Sequence, residues 1–188
     1  MQAIMISIQP QWVEKILNGE KTIEIRKTMP KCELPCKVYI YCTKQKRKNG
    51  FITKSEKFGW IMGRESTFYN RAKEYDANGK VVAEFTLNDI ETIEKHQVYN
   101  ASVVRYNACL NIMQLHDYIK GKRFHAWHID NLKIYDKPKE LSEFYTLKKC
   151  NSCEISGYEC SACVYDEDCK IPVEIKRPPQ SWCYVEEI

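Results

Sequence analysis

The stretch SIQPQWVEKILNGEKTIEIRK, residues 7–27, decides the fold because a helix signal is followed at once by a strand signal. Pro10 is typical of the first turn of a helix, and Gly19 is typical of the position just past a helix end. The apolar residues between them recur on one helical face, which we expect to pack inward. TIEIRK then alternates apolar and polar residues, as a half-buried strand does. We therefore predict a helix and a strand joined by a tight turn.

Three charged side chains lie close to this turn. Ile23 and Ile25 give the predicted strand its apolar face. Glu24 and Arg26 share the other face and can pair side by side, because residues two apart on a strand point the same way. Lys21 lies at the bend where the strand begins. One interpretation is an exposed ion pair worth about 0–1 kcal/mol; the other is a group of charges that converges on a ligand.

The composition favours one globular domain. The chain has 188 residues, 44% of them hydrophobic, and a formal net charge of +4, which suits a single core. The amino-terminal segment MQAIMISIQP contains no basic leader, and no stretch approaches the ~18–20 apolar residues of a membrane span. We therefore expect a single domain over residues 1–188 that is cytoplasmic and has no membrane partner. The small positive charge permits a polyanionic partner without requiring one.

Alternating patterns elsewhere predict a mostly β protein. We expect strands at AIMISI (3–8), CKVYIYCT (36–43), VVAEFTLNDIETIE (81–94), FHAWHIDNLKIY (124–135) and VEIKRPPQSWCYVEEI (173–188), and a second helix at LNIMQLHDYIKG (110–121). Several short strands with two or three helices favour an α+β, mostly β fold, and specifically a small barrel, because a closed sheet leaves no exposed edge.

A basic and aromatic insertion is predicted at residues 44–78, where the alternating pattern stops. The segment is rich in lysine and arginine, including Arg47 and Lys48, and several aromatic rings lie between them. Cations that contact phosphates, with rings available for base stacking, suit single-stranded RNA. The alternative is a solvated loop, which is what most charged runs are.

A cysteine-rich insertion is predicted at residues 148–170. Ten cysteines in a chain expected to be cytoplasmic favour metal ligation or buried thiols over a disulfide scaffold. Cys150-x-x-Cys153 and Cys160-x-x-Cys163 have the paired spacing that grips one tetrahedral zinc ion, so we predict structural zinc. The alternatives are a free-thiol loop and a redox-labile disulfide pair, and the arm could also contact other proteins.

The opening stretch resembles the signature of the ASCH domain, a branch of the PUA-like superfamily. That signature is an amino-terminal strand and a helix followed by Gly-x-Lys-x-x-Glu-x-Arg, which Gly19, Lys21, Glu24 and Arg26 match in full. FHAWHIDNLKIYDKPKELSEFY and RPPQSWCYVEE are similar to the closing part of bacterial and phage members. The resemblance implies a PUA-like pseudo-β-barrel, here with two or three flanking helices and the cysteine-rich insertion.

The resemblance also implies a function. In the family, a cleft beside the first helix is lined by the charged residues of the motif, so we expect Lys21, Glu24 and Arg26 to bind RNA or a modified nucleotide. Lys27 lies next to them, and Arg47 and Lys48 extend the predicted nucleotide-binding surface.

An alternative from another class is a small amidohydrolase or nuclease that acts on a modified nucleoside or RNA in the same cleft. A family member of this kind deacetylates acetylated cytidine with a lysine, a threonine and a glutamate. Lys21 matches its lysine, and Glu24 occupies the position of its threonine, so these two are the candidate catalytic residues. The sequence leaves open the identity of the ligand, catalytic activity and the oligomeric state.

Overall fold

The computed structural model describes residues 2–44, 51–55, 59–63, 77–149 and 170–187. Most of the predicted basic insertion, including Arg47 and Lys48, lies outside these residues. The four cysteines predicted to bind zinc, Cys150, Cys153, Cys160 and Cys163, also lie outside them.

The described residues form twelve strands and three α-helices. The strands are Gln2–Ile8 (β1), Ile23–Arg26 (β2), Cys36–Cys42 (β3), Phe51–Ser55 (β4), Gly59–Gly63 (β5), Val81–Leu87 (β6), Ile90–Ile93 (β7), Phe124–His128 (β8), Asp130–Lys139 (β9), Tyr145–Lys149 (β10), Lys170–Glu174 (β11) and Trp182–Glu186 (β12). The helices are Pro10–Leu17 (α1), Ser102–Asn107 (α2) and Ile112–Ile119 (α3).

A five-stranded sheet, in the order β12-β1-β3-β6-β9, forms the larger wall of the fold. β1 and β3 are parallel, and the other neighbours are antiparallel. The side chains of β1 pack into a separate core on each face: Ile4 and Ile6 lie in one cluster, and Ala3 and Met5 lie in another. Burial on both faces explains why β1 is a continuous apolar run rather than an alternating one.

A three-stranded sheet, in the order β2-β8-β7, faces the larger sheet. One face of it packs against α2 and α3 in a cluster that includes Ile23, Ile25, Leu115, Ile119 and Phe124. Its other face contributes Trp127 to the core cluster shared with β1, β3, β6 and α1. The two sheets therefore enclose a common core, and the apolar face predicted for Ile23 and Ile25 is confirmed.

The strand predicted over residues 124–135 is wrong as one continuous element. β8 ends at His128 and pairs with β2 and β7, whereas β9 begins at Asp130 and pairs with β6 in the other sheet. At the junction, the Ile129 amide donates a 2.9 Å hydrogen bond to the Thr22 carbonyl. This bond still links Ile129 to the smaller sheet, and from Asp130 onward the chain pairs with β6 of the larger sheet.

The strand predicted over residues 81–94 is divided in the same way, with β6 in the larger sheet and β7 in the smaller one. Within the predicted basic insertion, β4 and β5 pair as an antiparallel hairpin. This hairpin contacts the end of α1, where the Asn18 side chain donates to the Trp60 carbonyl at 2.7 Å and accepts from the Trp60 amide at 2.8 Å.

A second hairpin, β10–β11, lies at the β12 edge of the larger sheet. The buried side chains of Phe144 and Ile175 anchor its base in the cluster that contains Met5 and Tyr39. The Ile175 amide donates to the Phe144 carbonyl at 3.0 Å, and the Phe144 ring packs edge-on against Tyr39 at a centroid distance of 4.9 Å.

The predicted α+β, mostly β class is confirmed, with three α-helices among the described residues. None of the helices in the described ranges is long and apolar enough to span a membrane.

Candidate functional site

The site begins at the turn that ends α1. Gly19 has a φ of +73°, in the left-handed region where glycine carries no steric penalty, and its amide donates to the Ile16 carbonyl at 2.9 Å. The Glu20 and Lys21 amides both donate to the Lys15 carbonyl, which turns the chain back on the helix. This turn places Lys21 directly before β2.

Glu24 and Arg26 project from β2 on the face opposite Ile23 and Ile25, toward the larger sheet. Arg26 Nη2 lies 3.0 Å from Glu24 Oε1, so the side-by-side pairing predicted from the sequence is observed. The two side chains are only 8% and 10% exposed. The interpretation as an exposed surface ion pair is therefore wrong, because both charges lie between the sheets.

Lys21 neutralises the other oxygen of the same carboxylate. Its Nζ lies 3.2 Å from Glu24 Oε2, 2.8 Å from the Ile23 carbonyl and 2.9 Å from the Ala108 carbonyl. These three acceptors match the three N–H groups of an ammonium ion. The ammonium also lies 5.4 Å from the centroid of the Trp12 ring, within the range of a cation–π contact. Lys21 is thus buried, and each of its donors has an acceptor within the protein.

Arg26 connects the smaller sheet to the larger one. Its Nη2 donates to the Ser7 carbonyl of β1 at 2.8 Å, and its Nη1 donates to Ser181 Oγ at 3.2 Å, just before β12. Ser7 Oγ in turn donates to the Pro179 carbonyl at 2.7 Å. The guanidinium therefore holds the loop that precedes β12 against the site.

Two buried N–H donors in this region have no acceptor among the described residues. They are Arg26 Nε and Trp127 Nε1, and a third such donor, Arg105 Nε, lies on α2. Trp127 is directly opposite Glu24 in the β2–β8 register, so Trp127, Glu24 and Arg26 share one face of the smaller sheet. A buried donor without an acceptor costs about 1–3 kcal/mol. Both donors are covered by other parts of the chain, so an acceptor from outside would reach them only if this face opens.

His125 and Tyr118 complete the surroundings of the site, and sequence reasoning missed both. His125 is opposite Arg26 in the register, is buried, and shares a 2.9 Å hydrogen bond with Thr92 through Nδ1. Burial and the nearby Arg123 charge lower the pKa of His125, so the ring is neutral at neutral pH. The alternation FHAWH placed His125 and Trp127 on one face, but no sequence signal gave their register with β2.

Tyr118, on α3, lies next to Lys27. Tyr118 is 38% exposed, so its ring lies at the surface beside the end of β2. Lys27 Nζ lies 4.7 Å from the centroid of the Tyr118 ring. Of the predicted nucleotide-binding residues, the structure thus brings Lys21, Glu24 and Arg26 together and places Lys27 at the exposed rim.

The aromatic residues of β12 close the other side. The Trp182 ring lies 5.9 Å from that of Trp127 and 5.4 Å from that of Tyr184. Trp182 Nε1 donates to Thr28 Oγ1 at 3.0 Å, and Tyr184 accepts from the Lys31 amide at 2.6 Å. The loop that follows Arg26 is therefore fixed to β12 by two hydrogen bonds.

The sequence model of the ASCH domain family matches residues 6–149, which include the whole Lys21–Glu24–Arg26 network. The chain belongs to the ASCH domain family. The resemblance seen in the sequence is confirmed, and ASCH domains are generally linked to RNA binding. No curated protein sequence matches the chain.

Solved structures support the ASCH fold. The crystal structure of ASCH from Zymomonas mobilis matches with a TM-score of 0.56 and 17% identity, over 98% of this chain and 88% of that one. Two variants of that protein also match at 17% identity. The variant with a tyrosine changed to phenylalanine has a TM-score of 0.54 over 98% and 91% of the two chains. The variant with a serine changed to alanine has a TM-score of 0.54 over 98% and 89%.

The described part of the chain contains no group of three His, Cys, Asp or Glu side chains that could hold a metal ion. Five cysteines are described and all are free thiols: Cys32, Cys36, Cys42, Cys109 and Cys183. Zinc binding by the other cysteines stays a prediction.

Proposed function

We propose that this ASCH domain binds single-stranded RNA or a modified nucleotide through the face formed by Glu24, Arg26 and Trp127. The observation that carries the proposal is the pair of buried donors without acceptors, Arg26 Nε and Trp127 Nε1, next to a buried carboxylate. An exocyclic amine or ribose hydroxyl would donate to Glu24, whose side chain is 10% exposed. A base carbonyl or phosphate oxygen would accept from the two covered donors when the face opens around the ligand.

Within this proposal, Lys21 positions the carboxylate rather than contacting the ligand. Its three acceptors are Glu24 and the carbonyls of Ile23 and Ala108. Each Glu24 oxygen accepts from one cation, which leaves a lone pair on each for a ligand donor. Lys27 and the Tyr118 ring lie at the rim, where a cation and an aromatic surface suit a phosphate and a stacked base.

The test is a screen of short single-stranded RNAs and of modified and unmodified nucleosides, with binding and product formation measured on the same samples. We expect salt-sensitive RNA binding without product. Product formation, from an acylated cytidine in particular, would instead favour the amidohydrolase or nuclease alternative. No binding to any probe at low salt would contradict the proposal.

The variant that sharpens this test is Glu24→Gln. It keeps the shape and one acceptor oxygen but removes the charge, and a hydrogen bond to a charged group is worth about 1.5–3 kcal/mol. We expect the affinity of the folded variant to fall by about tenfold or more. A catalytic carboxylate would instead lose most of its turnover rate. The matched control is Glu20→Gln, because Glu20 lies in the same turn but is exposed and, among the described residues, pairs only with Lys15.

A further inference from the structure

A cavity lies on the opposite side of β12 from the Glu24–Arg26 site. Its volume is about 530 Å³, and it is formed by the β10–β11 hairpin, the loop after β11 and β12. Cys183 lines it, whereas the neighbouring Trp182 and Tyr184 pack on the other face of the strand with Trp127. Because successive side chains of a strand point to opposite faces, the two sites are separated by the sheet itself.

The cavity wall carries excess positive charge. Lys148, Lys176 and Arg177 line it, and Glu174 is the only carboxylate among its described lining residues. None of the three cations has an ion pair with any described residue. Three cations against one carboxylate give this wall a positive potential, which favours an anion.

The inner surface of the cavity is apolar. Ile175 is buried there, and Val173, Pro179 and Cys183 are partly buried beside it. A cavity of this volume falls within the roughly 300–1,000 Å³ of small-molecule sites. An apolar floor below a cationic rim matches a ligand with an unsaturated ring and a phosphate group.

We propose that this cavity binds one nucleotide, with its phosphate on Lys148, Lys176 and Arg177 and its ring on the apolar floor. Arginine suits this role because its guanidinium can grip two phosphate oxygens at once. The nucleotide can be free in solution or can be one unit of the RNA strand that we propose for the first site.

The structure connects the two sites through the loop at residues 177–181. Arg177 and Pro179 line the cavity, while Ser181 accepts a hydrogen bond from Arg26 in the first site. The Pro179 carbonyl also accepts from Ser7, whose own carbonyl accepts from Arg26. One RNA strand that crosses this loop could contact both sites. The possibility that the bound nucleotide is one unit of an RNA strand rests on the proposed function, whereas binding of a free nucleotide does not.

Cys183 provides a probe inside the cavity. Its thiol is partly buried, and burial raises its pKa, so alkylation with iodoacetamide is measured at mildly alkaline pH. The alkylation rate of Cys183 is followed by peptide mass spectrometry with uridine 5′-monophosphate, with a short single-stranded RNA, or with neither. The reference thiol is an unstructured cysteine peptide added to the same sample, because the Cys109 thiol donates to the Glu20 carbonyl beside the first site.

We expect at least one probe at saturation to slow alkylation of Cys183 by about tenfold relative to the reference peptide, a factor that corresponds to about 1.4 kcal/mol. Protection by the free nucleotide identifies an independent site, and protection by RNA alone identifies a contact with the strand. The double variant Lys176→Glu, Arg177→Glu should lose this protection. The control Lys133→Glu, Lys137→Glu changes net charge equally on β9, at the opposite edge of the sheet, and should keep it.

Isothermal titration calorimetry of the same variants measures nucleotide affinity without relying on the thiol. The inference is overturned if neither probe protects Cys183 and the calorimetric affinities of the wild type and the Lys176→Glu, Arg177→Glu variant are equal. If the wild-type protein gives this result but still binds RNA, the cavity inference is wrong and the proposed function stands. If the protein binds no RNA but uridine 5′-monophosphate protects Cys183, the cavity inference stands and the proposed function is contradicted.

Discussion

Replacing Lys21 with methionine tests whether the buried charge network holds the site together. The change keeps a long unbranched side chain but removes the ammonium, which leaves Glu24 Oε2 and the carbonyls of Ile23 and Ala108 without their donor. Lys21 is only 3% exposed, so water cannot replace the lost partner without opening the structure. Removing one partner of a buried ion pair costs about 3–5 kcal/mol.

We expect this loss in the free energy of unfolding, measured by urea denaturation with tryptophan fluorescence as the signal. For a domain of this size, the same loss lowers the thermal midpoint by about 6–20 °C. The matched control is Lys15→Met, which breaks an ion pair to Glu20 of similar length, 2.9 Å, between side chains that are 38% and 54% exposed. Exposed pairs contribute about 0–1 kcal/mol, so the control should be nearly neutral. Equal, small losses in both variants would refute the argument.

The other predictions concern pH, metal and salt. Because burial lowers the pKa of His125 below its ordinary 6.5, the unfolded chain takes up a proton first as the pH falls, so stability should decrease below about pH 6.5. His125→Gln should flatten this decrease in thermal melts, and parallel curves would contradict it. Protein prepared without chelators should carry about one zinc ion per chain by elemental analysis, and Cys153→Ser or Cys163→Ser should release it; a metal-free wild type, equally stable with chelator, would remove the zinc hypothesis. RNA affinity should fall linearly with salt on a log–log plot, and reversal of Arg47 and Lys48 to glutamate should weaken binding to all sequences alike and reduce the slope. An unchanged slope would show that the insertion is a solvated loop.

Local sequence signals predicted the elements around the turn at Gly19. Pro10 and Gly19 marked the ends of α1, and alternation assigned Ile23 and Ile25 to the core face. These signals were sufficient because a glycine with positive φ and a strand of period two are properties of a few neighbouring residues. These signals do not show what packs on the opposite face of β2, so they do not predict that Glu24 is buried.

Non-local pairing explains the errors. The run over residues 124–135 alternates throughout, but at Ile129 its hydrogen-bonding partner changes from one sheet to the other, and no local pattern records that. The short helix α2 gave no helical signal because Val103 and Tyr106 are 70% and 83% exposed and only Val104 is buried. His125 joined the site only through its register opposite Arg26, which depends on how two distant strands align.

Comparing RNA binding by Trp127→Phe and Trp182→Phe tests most directly whether the face shared by Glu24, Arg26 and Trp127 binds nucleic acid. Trp127→Phe removes a buried N–H that has no acceptor among the described residues. Burying that donor without an acceptor costs about 1–3 kcal/mol, so its removal offsets part of the packing energy that is lost with the indole ring. Trp182→Phe removes an N–H that already donates to Thr28.

Fluorescence anisotropy with a labelled short RNA gives the affinity of each variant at fixed low salt, and urea denaturation gives its stability. We expect Trp127→Phe to stay folded and to bind RNA about tenfold or more weakly, because the ligand loses a buried hydrogen bond. We expect Trp182→Phe to lose stability but keep most of its affinity. Wild-type affinity in folded Trp127→Phe protein would contradict the claim.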